Sequence, residues 1–573
     1  MTSSQPSCFP RDGREAERYL ARVQSGEVIA CKKIRQLADI MLPRFRKGHG
    51  VWSYDPDRAK RPVEFIERFC KLPQGKVGSP LVLEDYELAM VEMAFGFVDA
   101  EGDREFREVM MVIGRKNGKT SLAAAIALYM LMADREYAPQ CYSVATSKDQ
   151  ASLTYGSILN MVKQSPTLSK HLHKGIIPDR QQDGLMFKAT SGYFTPLSSQ
   201  TRHLDGLNVH FAIVDEMAAI TNRDIYDLVK QATGSRDNPL LLTITTNGFE
   251  RGGVFDEQYE YCERWLSGKL VDDTFLPIIY ELDERTEWPD SRMWMKANPG
   301  LGTVKKRAYL EAQVQKAKND PSYLPTVLTK EFNVPENKAS AWLRYEEAVN
   351  TETFNVERMG FRYCVVGYDA SDSVDLTAAR AMMLRPGDDH IYEMSMYWLP
   401  EAALERSRTS GRRVERDKAP YEKWVANDLV RLVPGNKVDH RVVFQWIQEL
   451  ADDYGIYTLA LGYDPWHLTD DAWVQQARMT VGEGNAEVVR FGPKTMSAPM
   501  KAIRADYETK RIIDNHNPVN EWCRMNVSVA IDRNDNWQPV KGAGPEGRID
   551  GFAAEICAYI TLERHIDAYK GLM

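Results

Sequence analysis

Short apolar runs with polar or charged tips recur along the first half of the chain: Val109-Met110-Met111-Val112-Ile113, Gln140-Cys141-Tyr142-Ser143-Val144-Ala145, Val209-His210-Phe211-Ala212-Ile213-Val214 and Pro239-Leu240-Leu241-Leu242-Thr243-Ile244. Between them lie helix formers such as Ser121 to Leu128. Strand-length apolar runs alternating with helices predict an α/β fold, a mostly parallel sheet covered on both faces. In such a sheet the polar tips converge at the carboxyl ends of the strands, where ligands bind. Between Lys330 and Gly360 the pattern loses this regularity, which marks a domain junction. Beyond it, Tyr363 to Tyr368 and Leu459 to Tyr463 are again strand-like and each runs into an aspartate, while Asp550 opens an apolar helix. The expected organisation is a helical extension over 1–60, a first domain over 61–340, a linker over 341–357 and a second α/β domain over 358–573. Within the extension, Glu15 to Leu42 reads as one or two helices.

A length of 573 residues is too great for one ordinary core and agrees with two domains. A net charge of −8 argues against a uniformly basic nucleic-acid coat and leaves a local basic channel open. No apolar run is long enough to span a bilayer, and no secretory signal is visible, so no membrane association is expected. The eight cysteines are scattered without a C-x-x-C pair, which fits reduced thiols better than disulfides or a zinc site.

The first run ends in Gly114-Arg115-Lys116-Asn117-Gly118-Lys119-Thr120-Ser121 and then a helix. Strand, glycine-rich basic loop and helix start make a phosphate cradle. Free backbone N–H groups and Lys119 meet the β- and γ-phosphates of a nucleotide, and the Thr120 hydroxyl ligates Mg²⁺. The usual first glycine of such a loop is displaced: Ile113 stands in its place and Gly114 follows. Read without the motifs downstream, this is either such a cradle or a glycine-punctuated turn with a solvated basic face. The run ending in Asp215-Glu216 supplies what the loop lacks. Asp215 would hold the Mg²⁺ shell and Glu216 would orient or deprotonate the attacking water; the bland alternative is a helix cap. Thr245, Thr246 and Asn247 at the next strand end would sense the γ-phosphate, or cap the strand. Tyr86 either stacks on the adenine ring or belongs to an apolar core helix. Phosphoryl transfer also calls for a cation on the γ-phosphate, for which Arg115, Arg202 and Arg236 are candidates; each could equally be a surface arginine.

In this order, Gly114 to Thr120, Leu204-Asp205-Gly206-Leu207-Asn208, Ile213-Val214-Asp215-Glu216 and Leu242-Thr243-Ile244-Thr245-Thr246-Asn247-Gly248 together resemble the large terminase subunit of tailed bacteriophages. The resemblance covers about residues 75–565, and Glu87 departs from it where many relatives carry an adenine-reading glutamine. It implies an N-terminal P-loop ATPase of the ASCE type using ATP with Mg²⁺, followed by an RNase H-like nuclease. Gly367-Tyr368-Asp369, Tyr463-Asp464-Pro465 and Arg548-Ile549-Asp550-Gly551 match that nuclease, as do the surroundings of Asn517, Asn526 and Lys541. Asp369, Asp464 and Asp550 would hold two divalent cations, Mg²⁺ or Mn²⁺, with Asp372 and Asp375 as accessory ligands. Alone, each aspartate reads as a cap or turn residue.

The resemblance further implies double-stranded DNA as substrate, a portal protein and a small terminase subunit as partners, and a homo-oligomeric ring during packaging. Its place would be the cytoplasm of the infected or lysogenic host, transiently at the procapsid portal vertex. The segment from Ala402 to Val433, rich in arginine, would be a solvated helix face or a DNA-contacting loop. Two competing readings are a helicase- or restriction-like ATPase–nuclease independent of capsids and a nucleotide-gated scaffold whose acidic clusters are structural.

Overall fold

Parallel strands buried on both faces should be apolar throughout, and the strand before the glycine-rich loop is buried at every position. The computed structural model describes residues 11–145, 148–177, 182–198, 206–220, 223–249, 253–336, 342–371, 376–404, 419–468, 470–541 and 548–573. The chain divides into two units, Met1–Pro335 and Glu336–Met573. Arg202, Asp372, Asp375 and the arginines from Arg406 to Arg416 lie outside the described residues.

The first unit opens with helices α1 (Glu15–Gln24), α2 (Lys32–Lys47) and α3 (Pro56–Phe69). Strands β1 (Ser53–Tyr54) and β2 (Phe97–Val98) form a small antiparallel pair. Helix α4 (Asp85–Gly96) is buried on nearly every side. The apolar residues of α1 and α2 join one continuous core with α4 and the main sheet, so the N-terminal helices are built into the unit.

Among the described residues the main sheet has eight strands: β3 (Glu108–Val112), β4 (Gln140–Ala145), β5 (Leu172–Ile177), β6 (Gln182–Phe187), β7 (Gly192–Ser198), β8 (Val209–Asp215), β9 (Leu240–Thr245) and β10 (Phe275–Ile279). Their order is β10-β3-β9-β8-β4-β7-β6-β5. The pairs from β10 to β7 are parallel, and β5 and β6 add an antiparallel edge. Helix α5 (Lys119–Met132) is apolar all round and packs as a buried helix after β3, while α6 (Lys148–Gln164) follows β4.

In the second unit, β11 (Tyr363–Asp369), β12 (Thr377–Met383) and β13 (Ile391–Pro400) form an antiparallel meander. Strand β15 (Tyr457–Tyr463) pairs parallel with β11, and β16 (Ala486–Val488) pairs parallel with β15. Strands β14 (Arg431–Val433) and β17 (Ile512–Ile513) pair with β13, and β18 (Val527–Ile531) with β19 (Trp537–Lys541) makes a separate hairpin. The C-terminal helix Asp550–Leu572 lies across this sheet.

Two glycines permit that crossing. Gly367 on β11 and Gly462 on β15 are register partners. A Cβ at Gly367 would strike the Ala554 carbonyl and the Ala558 amide, and one at Gly462 would strike Thr561 and the Cys557 carbonyl. Their missing side chains let the helix sit directly on the strands and bring its first turn, with Asp550, to the strand ends. Gly367→Ala is therefore expected to cost at least about 1–3 kcal/mol through overpacking. Calorimetry would show the unfolding of the second unit shifted down while ATP hydrolysis persists.

Candidate active sites

The glycine-rich loop occupies the carboxyl end of β3. Lys116 (φ 66°) and Gly118 (φ 75°) are left-handed, which curls the loop so that α5 begins at Lys119. The displaced glycine has a steric reason: a Cβ at Gly114 would lie 2.5 Å from the Glu331 carbonyl and 2.6 Å from Asn298 Oδ1. Ile113 is fully buried and simply continues the core of β3.

Strand order brings the other polar tips alongside. Val112 of β3 is in register with Thr245 of β9, and Ile244 of β9 with Asp215 of β8. Lys119 is half-buried, and burial lowers its ammonium to about 8 against the pull of Asp215 and Glu216. Asp215 is raised by burial, opposed by a 2.8 Å hydrogen bond that Thr154 Oγ1 of α6 donates to its Oδ2. Its other oxygen, Oδ1, is buried with no hydrogen-bond partner among the described residues. A buried carboxylate oxygen needs a partner, and a hard cation held by nucleotide phosphates and Thr120 fits that need. Glu216 is exposed in a left-handed conformation (φ 53°), pinned by its N–H to the Ile244 carbonyl at 3.0 Å. Thr120 and Ser121 are half-buried in the first turn of α5.

Thr245, Thr246 and Asn247 are all buried. The Thr245 hydroxyl donates to the Thr246 carbonyl at 2.7 Å, and the Asn247 amide is engaged by Asn333. Tyr86 requires a correction. It is 2% exposed, set edge-on against Tyr280, and its hydroxyl donates to the Asn117 carbonyl at 2.8 Å. It braces the phosphate loop and offers no open ring face to a base. Arg236 is corrected as well. It precedes β9, at the amino end of the parallel strands, and pairs with Glu136 at 2.5 Å while donating to Asn208 and the Ala138 carbonyl. It clamps the end of the sheet opposite Lys119 and so does not serve the γ-phosphate of its own subunit. Arg115 is exposed on the loop.

Motif reading missed the bracket behind the loop. Asn117 Nδ2 donates to the Gly114 carbonyl and to Asn298 Oδ1. Lys305 Nζ, fully buried, donates to Asn298 Oδ1 and Glu331 Oε2, both at 2.6 Å. The Arg115 N–H donates to the Lys330 carbonyl, and Lys330 Nζ reaches the Asn247 carbonyl at 2.7 Å. One segment thus holds both the phosphate loop and the tip of β9. No residue of it carries a recognisable spacing, and only the fold reveals it.

In the second unit, Tyr368 and Tyr463 are register partners, so Asp369 and Asp464 leave adjacent strands side by side. Asp464 also caps the short turn Pro465–His467 through the Trp466 N–H at 3.2 Å. Asp369 is raised well above the carboxylate range, first by burial, then by the negative charges of Asp550 and Asp464, with Lys541 opposing. Three carboxylates close enough to repel one another are a hard-oxygen donor set that suits divalent cations. Among the described residues no three such side chains are already drawn in to ligand spacing. Asp550 is placed from behind by buried Arg380, which donates to the Gly551 carbonyl at 3.0 Å and pairs with Glu393 at 3.0 Å.

Comparison with known proteins bears on both sites. The description "Terminase large subunit, ATPase domain" matches residues 85–264, and "Terminase large subunit, endonuclease domain" matches residues 269–565. The second match begins inside the first unit, where β10 pairs with β3. The chain is 28% identical over 512 residues to the large terminase subunit of Enterobacteria phage HK97, covering 87% of this chain and 94% of that protein. It is 22% identical to the terminase large subunit of Lactococcus phage p2, covering 86% and 89%. The crystal structure of the HK97 bacteriophage large terminase aligns with a TM-score of 0.46 at 25% identity, covering 88% of this chain and 99% of that one. With a phosphate loop beside an acidic strand end in one sheet and aspartates at adjacent strand ends in the other, this chain belongs to the terminase large-subunit family and is an ATP hydrolase and an endonuclease.

Proposed function

We propose that this chain is the motor and the cutter of a viral packaging machine, translocating double-stranded DNA into a procapsid and cleaving concatemers at the start and end of packaging. The observation that carries the reading is the pairing, in one polypeptide, of a phosphate loop whose strand lies in register one strand away from the strand ending in Asp215 with a second sheet on which Asp369 and Asp464 leave adjacent strands side by side. The phosphate loop and Asp215 lie in the first unit, and Asp369, Asp464 and Asp550 in the second.

In the motor, the loop N–H groups from Gly114 to Ser121 and the Lys119 ammonium bind the phosphates of ATP. Asp215 and Thr120 would hold Mg²⁺. Glu216, exposed just beyond the carboxyl end of β8, positions and deprotonates the attacking water. Thr245, Thr246 and Asn247 register loss of the γ-phosphate, and the Lys330–Asn247 link carries that change to the bracket behind the loop. An arginine, Arg115 or Arg202, neutralises the transferring phosphoryl group, in its own subunit or a neighbour's. In the cutter, Asp369, Asp464 and Asp550 would hold two divalent cations, Mg²⁺ or Mn²⁺. When bound, such ions stabilise the attacking and leaving oxygens of phosphodiester cleavage.

Terminase large subunits work with DNA, a portal and a small subunit. For this chain the same partners, a homo-oligomeric ring and a site of action in the cytoplasm of the infected or lysogenic host, at the portal vertex, follow from the proposal. No helix among the described residues is long and apolar enough to cross a membrane. The test is procapsid-dependent protection of DNA from added nuclease: ATP should make protection grow with time. ATPase and nuclease activity without any protection would favour an ATPase–nuclease unconnected with capsids.

A further inference from the structure

Most tryptophans of the second unit are core residues: Trp342, Trp398, Trp424, Trp446, Trp473 and Trp522 are each at most 6% exposed. Trp466 is 79% exposed. It lies two positions beyond Asp464, in the turn whose N–H that aspartate accepts. The neighbouring strand repeats the arrangement. Tyr463 and Val488 are register partners, and the Val489 N–H donates to the Tyr463 carbonyl at 2.8 Å, so Asp464 and Val489 leave the sheet together. Phe491, 36% exposed, then lies two positions beyond Val489, with exposed Arg490 between them. Glu487, the carboxylate on β16, is paired with Arg564 and His565, both at 2.8 Å.

We propose that Trp466, Arg490 and Phe491 form a shelf that receives an unpaired DNA strand beside the phosphate to be cut. The proposal rests on the cleavage reading above and adds a strand-recognition surface to it. Aromatic faces interleaved with a basic side chain are what single-stranded nucleic acid recognises: bases stack on the rings and the cation meets the backbone. An exposed indole can stack only on a base whose face is free, and duplex interiors offer none. The shelf therefore selects a frayed or melted strand, and its continuity with Asp464 places that strand at the metal-binding end of the sheet.

The experiment uses the full-length chain and labelled single-stranded and blunt duplex oligonucleotides. Binding is measured by fluorescence anisotropy with Ca²⁺ replacing the catalytic metal, and cleavage with Mg²⁺ or Mn²⁺. One stacked base is worth about 1–3 kcal/mol, so Trp466→Ala should weaken single-strand affinity about five- to 150-fold. Duplex affinity and ATPase rate should hold, and cleavage should show a raised KM with kcat kept. Trp466→Phe should restore most of the loss, and Arg490→Ala should flatten the salt dependence of binding. Unchanged single-strand affinity in Trp466→Ala, or an equal loss in the phenylalanine variant, overturns the shelf. Repeating the binding with EDTA separates the two ideas, since no cutting occurs there and the Trp466→Ala loss of single-strand affinity should persist. If the wild-type chain binds as described yet never cuts, the cleavage reading falls and the shelf stands.

Discussion

Lys119→Ala is expected to abolish ATP hydrolysis, with a loss of at least about 10²–10³-fold, the scale for removing one charge-stabilising group from a transition state. Metal-dependent cleavage by the same protein should continue, because the aspartates stand on another sheet. A phosphate-release assay beside a plasmid-nicking assay reads both, and retained ATPase would remove the loop from the mechanism. The depressed ammonium adds a finer signature. In the free site partial burial pushes the Lys119 ammonium down to about 8, and a bound triphosphate would favour its charged form. Nucleotide binding near pH 8 should then take up protons, seen in calorimetry as an enthalpy that varies with the buffer, and affinity should fall as pH rises further. Both effects should vanish in Lys119→Ala. Glu216→Gln should bind ATP normally and fail to turn it over.

Asp369→Asn is expected to reduce metal-dependent cutting by about 10³-fold, since a metal-bound site supplies several kcal/mol to the transition state, while leaving ATPase intact. It should also stabilise the metal-free second unit at neutral pH. Asp369 is raised in the folded state by burial and by Asp550 and Asp464. Its folded form therefore holds a proton more tightly than its unfolded form. The associated stability is full below the ordinary aspartate range and is lost as pH rises through the raised folded value. Wild-type protein without metal should thus melt lower at neutral than at mildly acidic pH in respect of this group, and added Mn²⁺ should recover the difference. The asparagine variant should lack both the pH trend and the metal response. Undiminished cutting by Asp369→Asn would place the nuclease chemistry elsewhere.

Local chemistry made much of this legible. The strands ending near Ile113, Ala145, Asp215 and Thr245 were visible as apolar runs because parallel strands are buried on both faces. Likewise, Asp369, Asp464 and Asp550 mark the ends of β11 and β15 and the start of the last helix. Arg236 and Tyr86 could not be judged in this way. An arginine beside a strand looks the same at either end of a sheet, and a tyrosine in an apolar helix does not reveal which way its ring points.

By itself the sequence determined the alternation of strands and helices, the phosphate loop, and the acidic tips, because each depends on neighbouring residues and on periodic burial. Only the tertiary structure decided which tips meet. The β10-β3-β9-β8 order sets Thr245 and Asp215 beside the loop, and the bracket from Asn298 to Asn333 reaches that loop across a long span of chain. The facing glycines 367 and 462 settle how closely the last helix approaches β11 and β15. Such long-range pairings follow from how whole layers pack, and no local spacing encodes them.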